Sequence, residues 1–331
     1  VANWTPFIPE ETLVKHESGE MLPAYGWGGI ISGASAIFFA YIGFDAISTT
    51  AEECKDPKRD MPRGMIYSLL ICTVLYILIT LVLTGMESYQ RFEGVNDPLA
   101  FVFENRAPWI EKIVSVSAII ATTSVLLVFQ IGQPRIWMSM SRDGLLPKKF
   151  QQVHPKYQTP GFATIVTGVF IGIGAMLIRS GLVTDLTSIG TLFAFVLVSA
   201  GVLFLPPRKA EPGKFSLPYI NGQWLIPALF VLLIYLFRAR LTEISSLISA
   251  GESGSITLVQ GLFLLYILIG SILSVLTFMR RYSFIPIMGV MSCMYLMIEI
   301  PAISWIWFLF WMGGGLLIYF LYGYRHSRLG Q

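Results

Sequence analysis

The chain has 331 residues, of which 54% are hydrophobic and only 13% are charged, and its mean hydropathy is +0.67. An ordinary soluble domain carries about 25% charged residues, so this composition excludes a soluble globular protein and indicates an integral membrane protein. The net charge of +3 gives no indication of a nucleic-acid partner.

Nine apolar stretches are candidates to cross a hydrocarbon core about 30 Å thick, which takes roughly 20 helical residues. They run over residues 27–51, 65–85, 113–138, 161–178, 186–205, 224–236, 256–279, 285–298 and 302–321. Polar segments interrupt them, notably at 139–160, 206–222 and 238–255, which we interpret as loops too short for a domain. The sequence therefore predicts one all-α, polytopic membrane domain that is surrounded by the lipid bilayer.

The distribution of Lys and Arg predicts the orientation, because positive residues near helix ends tend to stay on the cytoplasmic side. With the N-terminus outside, strict alternation puts sixteen of the 23 basic residues inside, namely Lys55, Lys58, Arg59, Arg63, Arg135, Arg142, Lys148, Lys149, Lys156, Arg208, Lys209, Lys214, Arg280, Arg281, Arg325 and Arg328. The other seven are Lys15, Arg91, Arg106, Lys112, Arg179, Arg238 and Arg240. We expect an extracellular loop at residues 1–26, a cytoplasmic C-terminus and a location in the cytoplasmic membrane. The first 26 residues lack an initiator Met and the features of a signal peptide, which favours an internal loop.

The first span is unusual because it combines small residues with an acid near its inner end. A carboxylate at mid-membrane costs about 2.5–3.5 kcal/mol on insertion scales, which makes Asp45 a functional candidate, although a position at the membrane interface would make it harmless. Gly43 permits a break in the helix, where freed carbonyls can bind a polar ligand. Simple packing is the alternative interpretation of Gly43, and core packing is the alternative for Phe39.

Motifs of enzymes and metal sites are absent from the sequence. There is no P-loop, HExxH zinc site, GxSxG elbow or pair of facing catalytic acids. Cys54, Cys72 and Cys293 have no metal-ligand spacing with the three His. We expect no catalytic residues, no metal, no cofactor and no enzyme.

Several ordered segments together resemble the cationic amino acid transporter branch of the amino acid–polyamine–organocation superfamily. The matching segments are residues 39–46, 52–57, 61–64, 134–135, 140–147, 154–155, 159–160, 188–192, 319–322 and 326–327. They occur in the family's order and cover nearly the whole chain, which makes coincidence a poor explanation.

The resemblance implies a LeuT-like fold, in which two inverted five-helix repeats hold an amino acid between the unwound centres of the first and sixth helices. Residues 27–206 would be the second repeat, and residues 207–331 would add four helices. By resemblance, the carbonyls of Phe39, Ala40 and Ile42 receive the substrate ammonium, while Phe39 shields the site and Gly43 permits the break. Asp45 matches a position implicated in coupling. The implied partners are an amino acid, with cationic and small neutral side chains both open, and a proton as the coupling ion.

The sequence also departs from the family, because the first five helices are missing. The absent helices include the glycine-rich first helix, whose backbone N–H groups would hold the substrate carboxylate. We therefore expect a partial transporter that does not transport by itself. A transport-inactive receptor or sensor on the same scaffold is the alternative, which the ten residues after position 321 disfavour because they leave no room for a signalling domain.

Overall fold

The computed structural model describes residues 2–15, 21–44, 47–48, 54–92, 94–95, 97–104, 106–178, 180–205, 219–249 and 257–327. Twelve helices are described: α1 Gly26–Tyr41, α2 Pro57–Met86, α3 Pro98–Phe101, α4 Pro108–Arg142, α5 Gly161–Leu177, α6 Ser180–Leu203, α7 Leu225–Leu236, α8 Arg238–Ser249, α9 Leu258–Arg280, α10 Phe284–Ile298, α11 Ala302–Ile318 and α12 Tyr324–His326. Helices α3 and α12 are single turns. Short 3₁₀ helices lie at Ala2–Trp4, Tyr89–Phe92 and Lys148–Gln151, and a π-helix at Tyr319–Gly323 joins α11 to α12.

Several apolar helices of the described chain are long enough to cross a membrane. By length and composition these are α2, α4, α6, α9 and the continuous run Ala302–His326, five among the described residues. A sixth arises if α7 and α8, which are bent by 67°, count as one broken span. Helices α5 and α10 are apolar but shorter. The helical, polytopic membrane class is thus confirmed, and the count of nine spans stays a prediction.

A two-stranded antiparallel sheet is the departure from the helical class within the described ranges. Strand β1 (Leu13–Lys15) pairs with β2 (Met21–Pro23) in the register Val14 opposite Leu22. The hairpin leads directly into α1. Glu11, just before β1, accepts a hydrogen bond from the Gly28 N–H at 3.2 Å, which places a carboxylate at the α1 N-terminus.

Helix α8 differs from the predicted loop at residues 238–255. Its mean composition is polar, but Leu241, Ile244 and Ile248 recur at helical spacing, and Ile244 is buried. Ile244 packs with Phe263 of α9 and with Ile298 of α10. The short apolar face, rather than overall hydropathy, therefore stabilises this helix.

The described chain divides into two compact units. The first consists of residues 1–10, 43–178 and 312–331. Within it α4 packs against α5 and the 3₁₀ helix Lys148–Gln151. Near the chain start, Asn3 donates to the Gly85 carbonyl and Trp4 donates to Thr84 Oγ1, each at 3.0 Å.

The second unit consists of residues 11–42 and 179–311. Helix α6 packs along α10, α1 packs against both, and α7 packs against α9. Its core contains two buried clusters, Ile226, Phe230, Ile287 and Met291, and Ile244, Phe263, Tyr266 and Ile298.

Many hydroxyl groups on these helices bond to their own helix rather than to a neighbour. Thr123 donates to the Ile119 carbonyl at 2.8 Å and Ser124 to the Ile120 carbonyl at 2.9 Å, both one turn back along α4. Thr277 on α9 does the same. A hydroxyl satisfied in this way needs no partner on another helix.

Candidate functional site

The predicted break in the first span lies at the end of α1. The helix ends at Tyr41, and Ile42 adopts an extended conformation with φ −61° and ψ 130°. Gly43 follows with φ +125°, a region that residues with a side chain rarely adopt. At about 1.5 Å per residue, the 16 residues of α1 cover roughly 24 Å, less than a hydrocarbon core of about 30 Å.

Carbonyl groups collect at this helix end. The last turn of any α-helix leaves its carbonyls without the usual partner four residues on. Here the Ile42 N–H donates to the Phe39 carbonyl at 3.1 Å, a bond over three residues. A carbonyl oxygen has two lone pairs, so this bond leaves the Phe39 oxygen capacity for a second donor. The helix C-terminus also carries partial negative charge, which favours a cation.

One side of the α1 end is fixed to neighbouring helices. Ser35 is 4% exposed, and its hydroxyl donates to the Leu296 carbonyl of α10 at 2.9 Å. Phe38 meets Phe195 of α6 edge to face, with ring centroids 6.1 Å apart. Phe39, the next residue, is 41% exposed. The helix end is thus anchored on its Ser35 and Phe38 side and leaves the Phe39 ring accessible.

Gly43 is needed for its backbone conformation rather than for space. A Cβ built on Gly43 would come no closer than 3.9 Å to the Phe129 ring of α4, which belongs to the same unit as Gly43. That distance is an ordinary van der Waals contact. Its positive φ is therefore what makes a side chain unfavourable at this position.

Phe39, Ala40, Ile42 and Gly43 are consecutive or nearly so, and the structure places all four where α1 ends. Their roles in substrate binding stay predictions. Asp45, the predicted coupling residue, lies outside the described residues. Among the residues that are described, no three His, Cys, Asp or Glu side chains converge as a metal site requires.

Sequence reasoning missed the anchors of α1 and two polar contacts between helices. The buried Ser304 hydroxyl donates to Asp185 Oδ2 of α6 at 3.1 Å. Arg240 of α8 forms a 3.0 Å ion pair with Glu299, and their side chains are 27% and 11% exposed. Asp185 and Glu299 are each recognisable in the sequence as a single acid beside an apolar run. Their partners, Ser304 and Arg240, are distant in sequence, so the sequence alone does not identify them.

Comparison with known families decides what this arrangement belongs to. A family model described as amino acid permease matches residues 3–248. The chain belongs to the amino acid permease family. A second model, described as the C-terminus of AA_permease, matches residues 282–327. The resemblance to the amino acid–polyamine–organocation superfamily is thereby confirmed, and the permease is an integral membrane protein.

Individual relatives of the permease carry different substrate names. It is 32% identical to the branched-chain amino acid permease BcaP of Bacillus subtilis (strain 168) over 331 residues, which cover 99% of this chain and 55% of that protein. It is 33% identical to a methylthioribose transporter of the same organism, again over 99% of this chain and 55% of that protein. It is 30% identical to the mitochondrial cationic amino acid transporter 3 of Arabidopsis thaliana, over 92% of this chain and 59% of that protein. The chain thus spans little more than half the length of these relatives.

Proposed function

We propose that this chain takes part in the secondary active transport of an amino acid across the cytoplasmic membrane. The observation that carries the proposal is the end of α1, where an extended Ile42 and a Gly43 at φ +125° follow the helix beside an exposed Phe39. Irregular backbone at membrane depth is tolerated where it lines a cavity or a ligand, and transporters use such breaks as substrate sites. Membership of the permease family gives this geometry its functional context.

The substrate's ammonium group would meet the carbonyls of Phe39, Ala40 and Ile42. The negative end of the α1 dipole supports a cation at this point, and the exposed Phe39 ring is available to shield it. The same carbonyl groups cannot bind the substrate's carboxylate, because carbonyl oxygens and carboxylate oxygens are all hydrogen-bond acceptors. By resemblance, its donors belong to the first helix of the family's LeuT-like fold, with residues 27–206 as the second inverted repeat and residues 207–331 adding four helices.

We also propose that the N-terminus of this chain lies outside and its C-terminus in the cytoplasm. Strict alternation of the nine predicted spans assigns each inter-span segment to one side of the membrane. Several contacts within each unit support this assignment, because each contact joins two segments that the alternation puts on the same side. They are Trp4 with Thr84, Arg106 with Glu87, Arg240 with Glu299, Gly144 with His326, and Asn221 with Ser283.

The experiment is uptake of labelled substrate into liposomes that contain the full-length protein, with and without an inward proton gradient. The panel holds leucine, lysine, alanine and methylthioribose, because the relatives differ in their named substrates. We expect uptake of at least one amino acid, increased by the gradient. Uptake of methylthioribose alone would contradict the substrate class, and binding without uptake would favour a receptor.

A proton-coupling role for Asp45 is tested by Asp45→Asn. The amide cannot take up or release a proton in the relevant range, so gradient-driven accumulation should be lost while exchange of substrate across the membrane persists. Glu104→Gln, an exposed acid between α3 and α4, is the matched control and should accumulate substrate normally. Accumulation by Asp45→Asn at the level of the control would exclude the role.

A further inference from the structure

The segment that joins α4 to α5, residues 143–160, is a loop with a fixed shape. The buried Ser141 hydroxyl donates to the Pro147 carbonyl at 2.8 Å. The His154 N–H donates to the Thr159 carbonyl at 2.8 Å. The first bond holds the start of the loop to α4, and the second closes a turn within the loop just before α5.

Aromatic side chains attach this loop to the two helix ends. Phe150 packs edge to face between Trp137 of α4, at 5.5 Å between ring centroids, and Phe162 of α5, at 5.1 Å. Trp and other amphipathic aromatic residues concentrate at the headgroup level of membrane proteins. The 3₁₀ helix Lys148–Gln151, which contains Phe150, thus lies against the C-terminal end of α4 and the N-terminal end of α5.

The same loop carries exposed positive charge. Lys148 and Lys149 precede Phe150 directly and are exposed. Lys156 is also exposed and lies 5.4 Å from the centroid of the Tyr157 ring, which is itself 65% exposed. In the described part of the chain, none of these three lysines lies within 4.0 Å of a carboxylate. Asp143 is the only acidic residue in the loop.

We infer that Lys148, Lys149 and Lys156 form a binding site for the headgroups of anionic phospholipids in the leaflet next to this loop. Each ammonium is a point charge on a flexible stem, which suits a layer of mobile phosphates better than one fixed anion. The attachment of Phe150 keeps the charges within reach of the membrane surface, where the attraction falls off over a distance of about 8–10 Å at physiological salt. This site is separate from substrate transport and does not depend on it.

The test measures the thermal stability of the purified full-length protein in mixed micelles as phosphatidylglycerol is titrated in. A ligand that binds only the folded state raises the midpoint of unfolding as its concentration rises. If each lysine contributes about a factor of five, Lys148→Gln should weaken the apparent affinity about fivefold. The double variant with Lys149→Gln should weaken it roughly 25-fold.

Lys112→Gln is the matched control, since Lys112 is exposed on the same helix α4 but about 38 Å along its axis from Trp137. This variant should keep the affinity of the unaltered protein. Phosphatidylcholine and inorganic phosphate should not raise the midpoint of unfolding of the unaltered protein or of the Lys112→Gln variant. A double variant that responds to phosphatidylglycerol like the control would overturn the inference, and so would a response to inorganic phosphate that equals the response to the lipid.

Discussion

At the scale of single residues, Gly43 is a position where the backbone conformation, and not the available space, requires glycine. Its φ of +125° excludes a strain-free side chain, whereas the surrounding space would accept a methyl group. Nearby Gly33 is the opposite case, because it is helical and no described atom lies within 4 Å of a Cβ built on it. Glycine is therefore required at position 43 for its backbone conformation, whereas position 33 requires it neither for conformation nor for space.

Gly43→Ala should weaken substrate binding, because alanine would cost about 1–3 kcal/mol at such a φ and favour a rearranged helix end. Binding measured by calorimetry should become roughly 5- to 150-fold weaker. Gly33→Ala should change the affinity by about twofold or less. Equal substrate affinities of the two variants would show that the helix break at Gly43 is not part of the substrate site.

Phe38 and Phe39 are adjacent but should respond differently to truncation. Phe39→Ala removes an exposed ring, so the thermal midpoint should hardly change while the Michaelis constant for uptake rises about two- to tenfold, the range for one aromatic contact. Phe38→Ala removes the ring packed on Phe195 and should lower the thermal midpoint. If Phe39→Ala lowers stability and leaves the Michaelis constant unchanged, the ring belongs to the core.

At the scale of helices, α7 and α9 meet at a glycine that does depend on space. A Cβ on Gly270 would lie 2.8 Å from Phe230 Cζ and closer still to Cε2, and Phe230 is buried. On the same helix, Gly261 has no described atom within 4 Å of its built Cβ. The absence of a side chain at Gly270 therefore allows α7 to pack closely against α9 at this point.

Gly270→Ala should lower the thermal midpoint in detergent, since overpacking of this kind costs about 1–3 kcal/mol. Gly261→Ala should not lower it. Adding Phe230→Leu to Gly270→Ala should restore part of the loss by making room for the methyl group. A Gly270→Ala protein as stable as Gly261→Ala would contradict the close packing.

The helices also show how far the sequence could predict the fold. Apolar length located α7 and α9 well, because residues 224–236 and 256–279 are apolar almost throughout. Hydropathy placed the start of α2 at residue 65, whereas the helix begins at Pro57, since Pro at the first helical position and Asp60 in the first turn favour a helix start outside the membrane. The end of α1 at Tyr41, ten residues before the predicted end, depends on the backbone angles of Ile42 and Gly43, which hydropathy does not report. The pairing of Ser35 with Leu296 spans 261 residues and left no local signal.

At the scale of the whole molecule, the proposed orientation can be tested by chemical labelling. In a background in which all other cysteines are replaced by serine, Lys112→Cys should react with a membrane-impermeant thiol reagent on intact cells. Lys149→Cys should react only after the cells are permeabilised, because both positions are exposed but Lys112 lies in the first turns of α4 and Lys149 lies beyond its C-terminal end. The reverse labelling pattern would invert the topology.

The hydroxyl groups that bond back within their own helices have a consequence for motion. Thr123 and Ser124 present a polar composition to their surroundings but no unpaired hydrogen-bond donor. Neighbouring helices or lipid tails can therefore slide past α4 without first breaking bonds to these residues and without stranding a polar group in hydrocarbon. The transport proposed above requires helices that move against one another, and this part of α4 adds no hydrogen-bond cost to such a movement.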